Sequence, residues 1–363
     1  MPMQYVRLGK SGLKVSRLIL GMAHYGDPRF MPWVLGEEEA FKHIKLAYDR
    51  GIQTFDTANV YSSGLSEKIL GNAIKKLGLP RDELVIMTKV NTRAPPPLFE
   101  YASIDVVPQI ALPMFSLDDP DALKKYKTPE KFGIVNQHGL SRKHIFDAVK
   151  GSLERLQVDY IDVLQCHRFD PTTPIEETMH ALHDIVKAGW VRYLAMSSCW
   201  AYQFHAMQNY AISNNLTPFI SMQNHYNLLY REEEREMFPT LKLFGVGSTP
   251  WSPLAKGLLS RPFNTQSDSL RSKIDPGLQM YKSEQSPVII GRIEEIAKRK
   301  GASMAQVALA WLLAKEGVTA PIIGPSSVEK LEDLLGSLDV KLTDEEIKYL
   351  EEPYAPMRIC GHS

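Results

Sequence analysis

The chain has few cysteines, no excess of either charge and no long apolar run, and each absence narrows what it can be. Its three cysteines, Cys166, Cys199 and Cys360, are odd in number and lack the paired spacing of metal or disulfide frameworks. The 42 basic and 42 acidic side chains cancel, so nothing favours nucleic acid or an acidic membrane as a partner. No apolar run approaches the roughly 18 residues that span a bilayer, and the start lacks a secretory apolar region. These absences predict a reduced, soluble, cytoplasmic enzyme.

What the composition supplies is an ordinary globular core. Hydrophobic residues make up 44% of the chain and charged residues 23%, which is ample for a buried interior. A chain of 363 residues has room for one large domain or two ordinary ones. Because no interdomain linker interrupts the pattern, we expect a single domain over residues 1–363. Nothing in the sequence indicates an oligomeric state.

Short β-branched runs alternate with longer helical patterns along the chain. Strands are predicted at residues 17–21, 52–56, 84–89, 160–165, 191–197, 218–223, 245–250 and 320–324. Helices are predicted at residues 37–50, 66–78, 141–156, 175–188, 201–213, 231–243, 287–316 and 327–336. Helical crossovers return the chain to the same end of the sheet, so the strands are parallel. Eight such units predict an α/β fold, the (β/α)₈ or TIM barrel, with its active site at the carboxyl ends of the strands.

An open doubly wound sheet is the alternative arrangement. Such a sheet normally carries G-x-G-x-x-G after its first strand, whereas this chain reads LGMAHYG there, so the barrel is favoured. The first fifteen residues, with GKSG as the turn, predict a hairpin that covers the bottom of the barrel. Residues 91–139, after the third strand, form a long loop insertion over the top face. This insertion is expected to shape a pocket, to meet a partner, or to lie peripherally without touching substrate.

Polar residues gather where the predicted strands end. In TFDTANVY, Asp56 ends the second strand and Tyr61 follows in its loop, while Lys89 ends the third strand and His167 follows the fourth. Barrel strand ends converge on one face, so we expect these four side chains to meet. An Asp56–Lys89 ion pair would satisfy the buried acid, and Lys89 would lower the pKa of Tyr61. Taken singly, Lys89 could be a surface lysine and His167 a core histidine, but four such residues at successive strand ends are a less probable coincidence.

This set suits carbonyl reduction, with Tyr61 as proton donor and His167 as a hydrogen-bond donor to the carbonyl oxygen. Hydride would have to come from another molecule. A hydrolase on the same barrel would need paired carboxylates or metal ligands at the strand ends, and we find neither set, so no metal is expected.

With these residues in place, the chain resembles the aldo-keto reductase superfamily over nearly its whole length. The matching stretches are FDTANVY, MTK, DVLQCH, MQNHYNLL, TPWSPLAKGLL and PIIGPSSVEKLEDLL. It looks most like the branch that contains fungal aryl-alcohol dehydrogenases and potassium-channel β subunits. The resemblance implies a barrel that binds NADP(H) in an extended pose without a Rossmann domain. It also implies a catalytic tetrad of Asp56, Tyr61, Lys89 and His167.

The resemblance further implies cofactor contacts at the positions that match the family's motifs. Gly21, Met22 and Asp56 would touch the cofactor, and those at the nicotinamide end are Ser197, Ser198, Gln223 and the stacking residue Trp251. Those along the pyrophosphate are Ser252, Pro253, Leu254 and Gly257. Those at the adenosine phosphate are Gly324, Ser326, Lys330 and Arg271. Free N–H groups at the start of the helix after the eighth strand support an anion site there.

Three positions depart from the family's pattern. Ser198 stands where an asparagine or arginine commonly follows the serine, Lys330 replaces a common glutamine, and Leu334 replaces an asparagine that typically contacts adenine. Arg271 and Lys330 are the candidate cations for the 2′-phosphate of NADPH, although either could be a solvated surface charge.

Loop aromatics over the top face predict an apolar pocket for the substrate. The candidate substrate residues are His24, Tyr25, Trp33 and Trp200. The expected activity is NADPH-dependent, reversible reduction of an aldehyde or ketone, in particular an aryl aldehyde, to the alcohol. The alternative is a regulatory subunit of the channel-β type that senses NADPH and turns over slowly.

Overall fold

A computed structural model of the chain describes residues 2–90, 135–268, 271, 273 and 275–362. Of the predicted insertion at 91–139, residues 91–134 lie outside the described residues. In the part that is described, no helix has both the length and the apolar content that a membrane crossing requires.

Among the described residues, ten strands form two sheets: β1 and β2 make an antiparallel hairpin, and the eight strands from β3 to β10 make the parallel sheet at the centre of the molecule. The strands in chain order are β1 (Tyr5–Arg7), β2 (Lys14–Ser16), β3 (Ile19–Gly21), β4 (Thr54–Asp56), β5 (Val85–Val90), β6 (Ile161–Cys166), β7 (Val191–Ser197), β8 (Phe219–Gln223), β9 (Gly247–Ser248) and β10 (Ile322–Ile323). β10 pairs with β3, and the order then runs from β3 to β9. The ring closes because the N–H of Thr319 donates to Ser248 O at 2.8 Å and that of Ile322 to Pro250 O at 2.9 Å. The predicted (β/α)₈ barrel is confirmed.

Helices cover the outside of this ring. They are α1 (Glu37–Asp49), α2 (Leu65–Leu77), α3 (Arg142–Leu156), α4 (Ile175–Lys187), α5 (Ala201–Ser213), α6 (Met237–Phe244), α7 (Gln285–Lys300), α8 (Met304–Ala314), α9 (Val328–Leu335) and α10 (Asp344–Glu351). Short 3₁₀ turns at Tyr61–Gly64, Ala255–Ser260 and Pro276–Tyr281 lie in the loops that follow strands at the top.

The helices differ from the prediction in three places. The predicted helix 231–243 is a 3₁₀ turn at Glu232–Glu234 followed by α6. The predicted helix 287–316 is two helices, because Gly301 ends α7 with a φ of +63° and Ser303 starts α8 with a capping box. α10 was not predicted, although Thr343 and Glu346 form a capping box at its start.

Apolar side chains fill the lower half of the barrel and leave the upper rim to polar residues. The interior cluster is formed by Leu8, Val15, Ile19, Val85, Met87, Val163, Ala195, Ala320 and Ile322. Leu8 and Val15 belong to the antiparallel hairpin β1–β2, so the predicted hairpin plugs the bottom. A much larger apolar cluster lies between the strands and the helices. The packed interior therefore leaves the carboxyl ends of the strands as the place for chemistry.

Candidate active site

The ends of β4 and β5 bring an acid and a base into direct contact. Asp56 is the last residue of β4 and Lys89 the last but one of β5, and both side chains are buried. Lys89 Nζ lies 2.6 Å from Asp56 Oδ2 and donates a second hydrogen bond of 2.8 Å to the Thr57 carbonyl. Its third contact, at 3.2 Å, is with the Tyr61 hydroxyl. Three oxygen partners match the three N–H bonds of an ammonium, so Lys89 is fixed in one orientation.

Two glutamines hold the same carboxylate from its other side. Gln165 on β6 and Gln223 at the end of β8 each donate from Nε2 to Asp56 Oδ1 at 2.8 Å. Gln223 Nε2 also lies 2.9 Å from Gln165 Oε1. Both oxygens of the buried Asp56 carboxylate therefore have partners. A buried carboxylate without partners would be strongly disfavoured. The amide nitrogen of Gln223, predicted to hold a nicotinamide carboxamide, is engaged with these neighbours.

The ionisation states of Tyr61 and Lys89 follow from burial and from each other. Burial raises the pKa of the Tyr61 hydroxyl above its usual 10.0, and the Lys89 cation opposes that rise without reversing it. The net direction is therefore opposite to the lowering predicted from the sequence. Burial acts to lower the pKa of Lys89, but Asp56 and Tyr61 outweigh it and raise that pKa above its usual value. At neutral pH the pair is a protonated phenol beside an ammonium.

His167 completes the predicted group of four. It directly follows β6, and its N–H donates to Val90 O at 3.0 Å. Its ring stands edge-on to that of Tyr61, with centroids 6.0 Å apart and planes at 84°. Burial first, and then the charges of Arg168 and Lys89, hold its pKa well below the usual 6.5, so the imidazole is neutral. His167 Nδ1 has no hydrogen-bond partner among the described residues.

The predicted nicotinamide residues meet at one corner, where β7, β8 and β9 end. Ser197 Oγ donates to Gln223 O at 2.8 Å, and the N–H of Ser198 donates to the same oxygen at 3.1 Å. Trp251 Nε1 donates to Ser198 Oγ at 3.0 Å. One face of Trp251 stacks on His225, with centroids 4.1 Å apart and planes at 10°. Ser198, a departure from the family's pattern, therefore orients the predicted stacking residue.

Gly21 and Met22 lie beside the tetrad at the end of β3. The N–H of Met22 donates to Asp56 O at 2.8 Å, and its side chain is buried in the core. A Cβ on Gly21 would lie 2.6 Å from Ile322 Cγ2, so β10 packs against this backbone. Any contact of Met22 with a ligand would be through its backbone.

The predicted pyrophosphate segment has unusual backbone geometry. Ser252, Ala255, Lys256 and Gly257 have φ values of 51°, 47°, 58° and 100°. Left-handed conformations of non-glycine residues cost about 1–3 kcal/mol each and collect at ligand-binding segments. The other two predicted residues of this segment, Pro253 and Leu254, are buried and half-buried.

Lys256 of this segment and Arg271 beyond it share one carboxylate. Lys256 Nζ lies 3.1 Å from Asp275 Oδ1, and Arg271 Nε lies 2.9 Å from Asp275 Oδ2. The three groups together carry one net positive charge. Arg271 Nη1 also lies 2.9 Å from His24 Nε2, so it links this loop to the one after β3.

The remaining predicted adenosine residues are exposed at the start of α9. Lys330 Nζ donates to Ser326 Oγ at 2.7 Å, and Ser327 caps the helix. A Cβ on Gly324 would lie 2.6 Å from His24 Nδ1, so this backbone meets the Arg271 cluster through His24. Leu334 is buried in α9, consistent with an apolar residue in place of the family's asparagine.

The predicted substrate residues do not form one wall. Tyr25 is fully buried with its hydroxyl 2.8 Å from His43 Nδ1 on α1, so it belongs to the core and its assignment to the pocket is corrected. His24 lies with Arg271, at the predicted cofactor phosphates. Trp33 also packs on Arg271, at 5.3 Å. Trp200, in the loop after β7, stands edge-on to His362 of the C-terminal tail, with ring centroids 4.8 Å apart.

Four polar residues of the site were missed from the sequence, namely Gln165, Arg168, Lys256 and Asp275. Gln165 and Arg168 flank the predicted His167 in LQCHR, and this proximity was the available signal. Asp275 and Lys256 lie in different loops, and no local sequence pattern indicates that these two loops contact each other. Within the described ranges, no three His, Cys, Asp or Glu side chains come together as metal ligands.

The residues present fit a nicotinamide dinucleotide. The buried Nδ1 of His167, without a partner among the described residues, the segment 252–257 with its left-handed backbone and the net positive charge around Asp275 follow one another along the rim. Together they offer a polar corner, a backbone cradle and an anion site in the order that such a cofactor needs.

Comparison with known proteins is consistent with this geometry. Residues 17–355 match the model of the aldo/keto reductase family. An aldo-keto reductase of Fusarium vanettenii is 49% identical over 361 residues, covering 99% of this chain and 93% of that protein. The versiconal hemiacetal acetate reductase of Aspergillus parasiticus is 46% identical over 365 residues, covering 98% of each. A Schizosaccharomyces pombe protein provisionally named aryl-alcohol dehydrogenase is 47% identical over 363 residues, covering 99% of this chain and 98% of its own.

Proposed function

The chain belongs to the aldo/keto reductase family of oxidoreductases, and we propose that it is an NADPH-dependent reductase of aldehydes and ketones. Aryl aldehydes are the proposed preferred substrates, with alcohol oxidation as the reverse reaction. The observation that carries this proposal is the contact of the Tyr61 hydroxyl with Lys89 Nζ at 3.2 Å, beside a neutral His167.

Each residue of the tetrad has a role that follows from its charge. Tyr61 gives its proton to the carbonyl oxygen of the substrate as that oxygen becomes negative. Lys89 stabilises the phenolate that remains, and Asp56 keeps Lys89 charged and oriented. His167, as a neutral imidazole, donates a hydrogen bond to the same oxygen. When bound, the nicotinamide cofactor supplies the hydride.

The preference for NADPH rests on the cations at the far end of the rim. Arg271 and Lys256 outnumber the carboxylate that they share, and Lys330 Nζ, at the start of α9, donates to the uncharged Ser326 hydroxyl. Such donors form strong, charge-assisted hydrogen bonds with a phosphate. NADPH carries one phosphate more than NADH at this end.

The preference for aryl aldehydes rests on Trp200 in the loop after β7. Trp200, two residues after Ser198 in the chain, offers a flat apolar surface beside His362, while Trp251 is reserved for the nicotinamide ring. The S. pombe relative whose provisional name is aryl-alcohol dehydrogenase supports the same substrate class.

A kinetic panel tests the proposal. Oxidation of NADPH would be followed by absorbance with benzaldehyde, 3-phenylpropanal and hexanal, and with NADH in parallel. We expect the aryl aldehyde to be reduced with a kcat/KM about tenfold above hexanal, and NADPH to be favoured over NADH by a similar factor. Tight NADPH binding with negligible turnover on every aldehyde would instead favour a sensor that reads the cofactor for a partner.

A further inference from the structure

Arg168 is a cation of the site without a carboxylate partner among the described residues. Its Nη1 donates to the carbonyl oxygen of His167 and lies 3.4 Å from Ser197 Oγ, and both acceptors are uncharged. The other enclosed cations of the rim each have a carboxylate. Lys89 pairs with Asp56 at 2.6 Å, and Lys256 pairs with Asp275 at 3.1 Å.

The surroundings of Arg168 make this lack of a partner costly. The guanidinium is enclosed by protein, and burial lowers its pKa to about 10, so it remains a cation at neutral pH. A buried charge without a counter-charge is strongly disfavoured unless a ligand supplies one. The residue as a whole is nevertheless half-buried, so part of its surface stays accessible to a ligand.

Arg168 lies beside the reacting group. Arg168 directly follows His167, and its charge acts on the Tyr61 hydroxyl, lowering its pKa against the effect of burial. Its charge also acts on His362 of the C-terminal tail, whose ring packs on Trp200. An aromatic body held at Trp200 would therefore have Tyr61 and Arg168 within reach of its substituents.

We propose that Arg168 binds a carboxylate substituent of the substrate, so that the preferred substrates are aromatic aldehydes that also carry a carboxylate. This inference rests on the proposed reductase function. The cofactor is not the anion in question, because Lys256 and Arg271, which surround Asp275, are the cations assigned above to its phosphates, and its carboxamide is neutral. A guanidinium and a carboxylate form paired, charge-assisted hydrogen bonds, which an uncharged ester cannot replace.

A matched pair of substrates tests the assignment. 4-Carboxybenzaldehyde and methyl 4-formylbenzoate have nearly the same shape and differ in charge. We expect the wild-type kcat/KM to favour the carboxylate by about tenfold or more, and Arg168→Met to abolish that preference. Arg168→Lys should retain a part of it, because the charge stays and the paired geometry is lost. If Arg168→Met lowers both values by the same factor, Arg168 only positions its neighbours and the proposal is wrong.

A surface variant and a binding measurement complete the test. Arg50→Met, which breaks an exposed ion pair with Glu332, should leave the preference unchanged. Binding of benzoate to the NADP⁺-loaded protein, measured by calorimetry, should weaken about tenfold in Arg168→Met.

Benzoate binding that depends on Arg168 without turnover of any aldehyde would overturn the reductase function and retain the anion site. Turnover of aldehydes with benzoate binding unaffected by Arg168→Met would overturn the anion site alone. If Arg168→Met does not fold, Arg168→Lys is judged by the same two criteria.

Discussion

Lys89 Nζ lies 3.2 Å from the hydroxyl oxygen of Tyr61, although 28 positions separate the two residues in the chain. The contact exists because β4 and β5 are parallel neighbours, which brings the loop after one strand over the end of the other. Burial keeps the Tyr61 phenol protonated, and the nearby Lys89 cation stabilises the phenolate that forms when the proton is given away. The arrangement therefore suits a proton donor that takes its proton back after each turnover.

Removal of the phenol should stop the chemistry and leave the fold intact. We expect Tyr61→Phe to lower kcat by about 10²–10⁴-fold, because the carbonyl oxygen loses its proton donor. NADPH binding, measured by fluorescence, should change little, since Tyr61 makes its contact with Lys89 and not with the predicted cofactor residues. Tyr202→Phe, at a tyrosine that is 70% exposed, is the control and should retain activity. A near-native kcat in Tyr61→Phe would refute the proton-donor role.

Removal of the buried cation should destabilise the protein. Lys89→Met leaves Asp56 as a buried charge without its counter-ion, which costs about 3–5 kcal/mol of unfolding free energy. The double variant with Asp56→Asn should recover part of that loss. Lys45→Met on α1 breaks an exposed pair with Asp49 and should cost under about 1 kcal/mol. Urea denaturation of the wild type and the three variants measures the free energy of unfolding. Equal losses of unfolding free energy in Lys89→Met and Lys45→Met would contradict the argument.

The sequence was sufficient for the barrel and for the group of four because both depend on periodic, short-range signals. Strand ends are fixed within a residue or two by β-branched runs, and the barrel then makes Asp56, Lys89 and His167 converge. The net pKa of Tyr61 could not be obtained in this way. It depends on how much desolvation outweighs the charge of Lys89, which is a property of the packed site.

Loop residues were the weaker part of the prediction for a physical reason. Tyr25 and His24 are adjacent, yet one points into the core toward His43 and the other toward Arg271. Neighbouring side chains in a loop have no fixed period, so the sequence does not say which of them faces the rim. Asp275, which pairs with Arg271, lies in such a loop as well.

Acid should weaken the fold through its buried neutral histidines. Burial holds the pKa of His167 and His225 well below 6.5 and lowers that of His24 to about 3. Below pH 6.5 the unfolded chain binds protons that the folded chain does not, so stability is complete above that pH and falls as the pH falls. Each such histidine contributes about 1.4 kcal/mol per pH unit between about pH 6 and pH 5.

The pH slope of the unfolding free energy measures this effect residue by residue. His225→Asn should reduce the slope by about one proton, whatever it does to stability at neutral pH. His205→Gln, at an exposed position on α5, should leave the slope unchanged. A slope in His225→Asn equal to that of the wild type would mean that His225 is protonated in the folded protein.

The cation cluster around Asp275 should discriminate between the two nicotinamide cofactors. Arg271 has Asp275 at 2.9 Å but shares it with Lys256, so the cluster retains a positive charge for a phosphate. We expect Arg271→Met to weaken NADPH binding by about tenfold and NADH binding by much less, because NADH lacks the extra phosphate. Fluorescence titration with both cofactors gives the ratio of dissociation constants, and Arg142→Met, at an exposed ion pair on α3, is the control. An equal loss for both cofactors would show that Arg271 acts on the loop as a whole, through its contacts with Asp275 and His24, and that another cation recognises the phosphate.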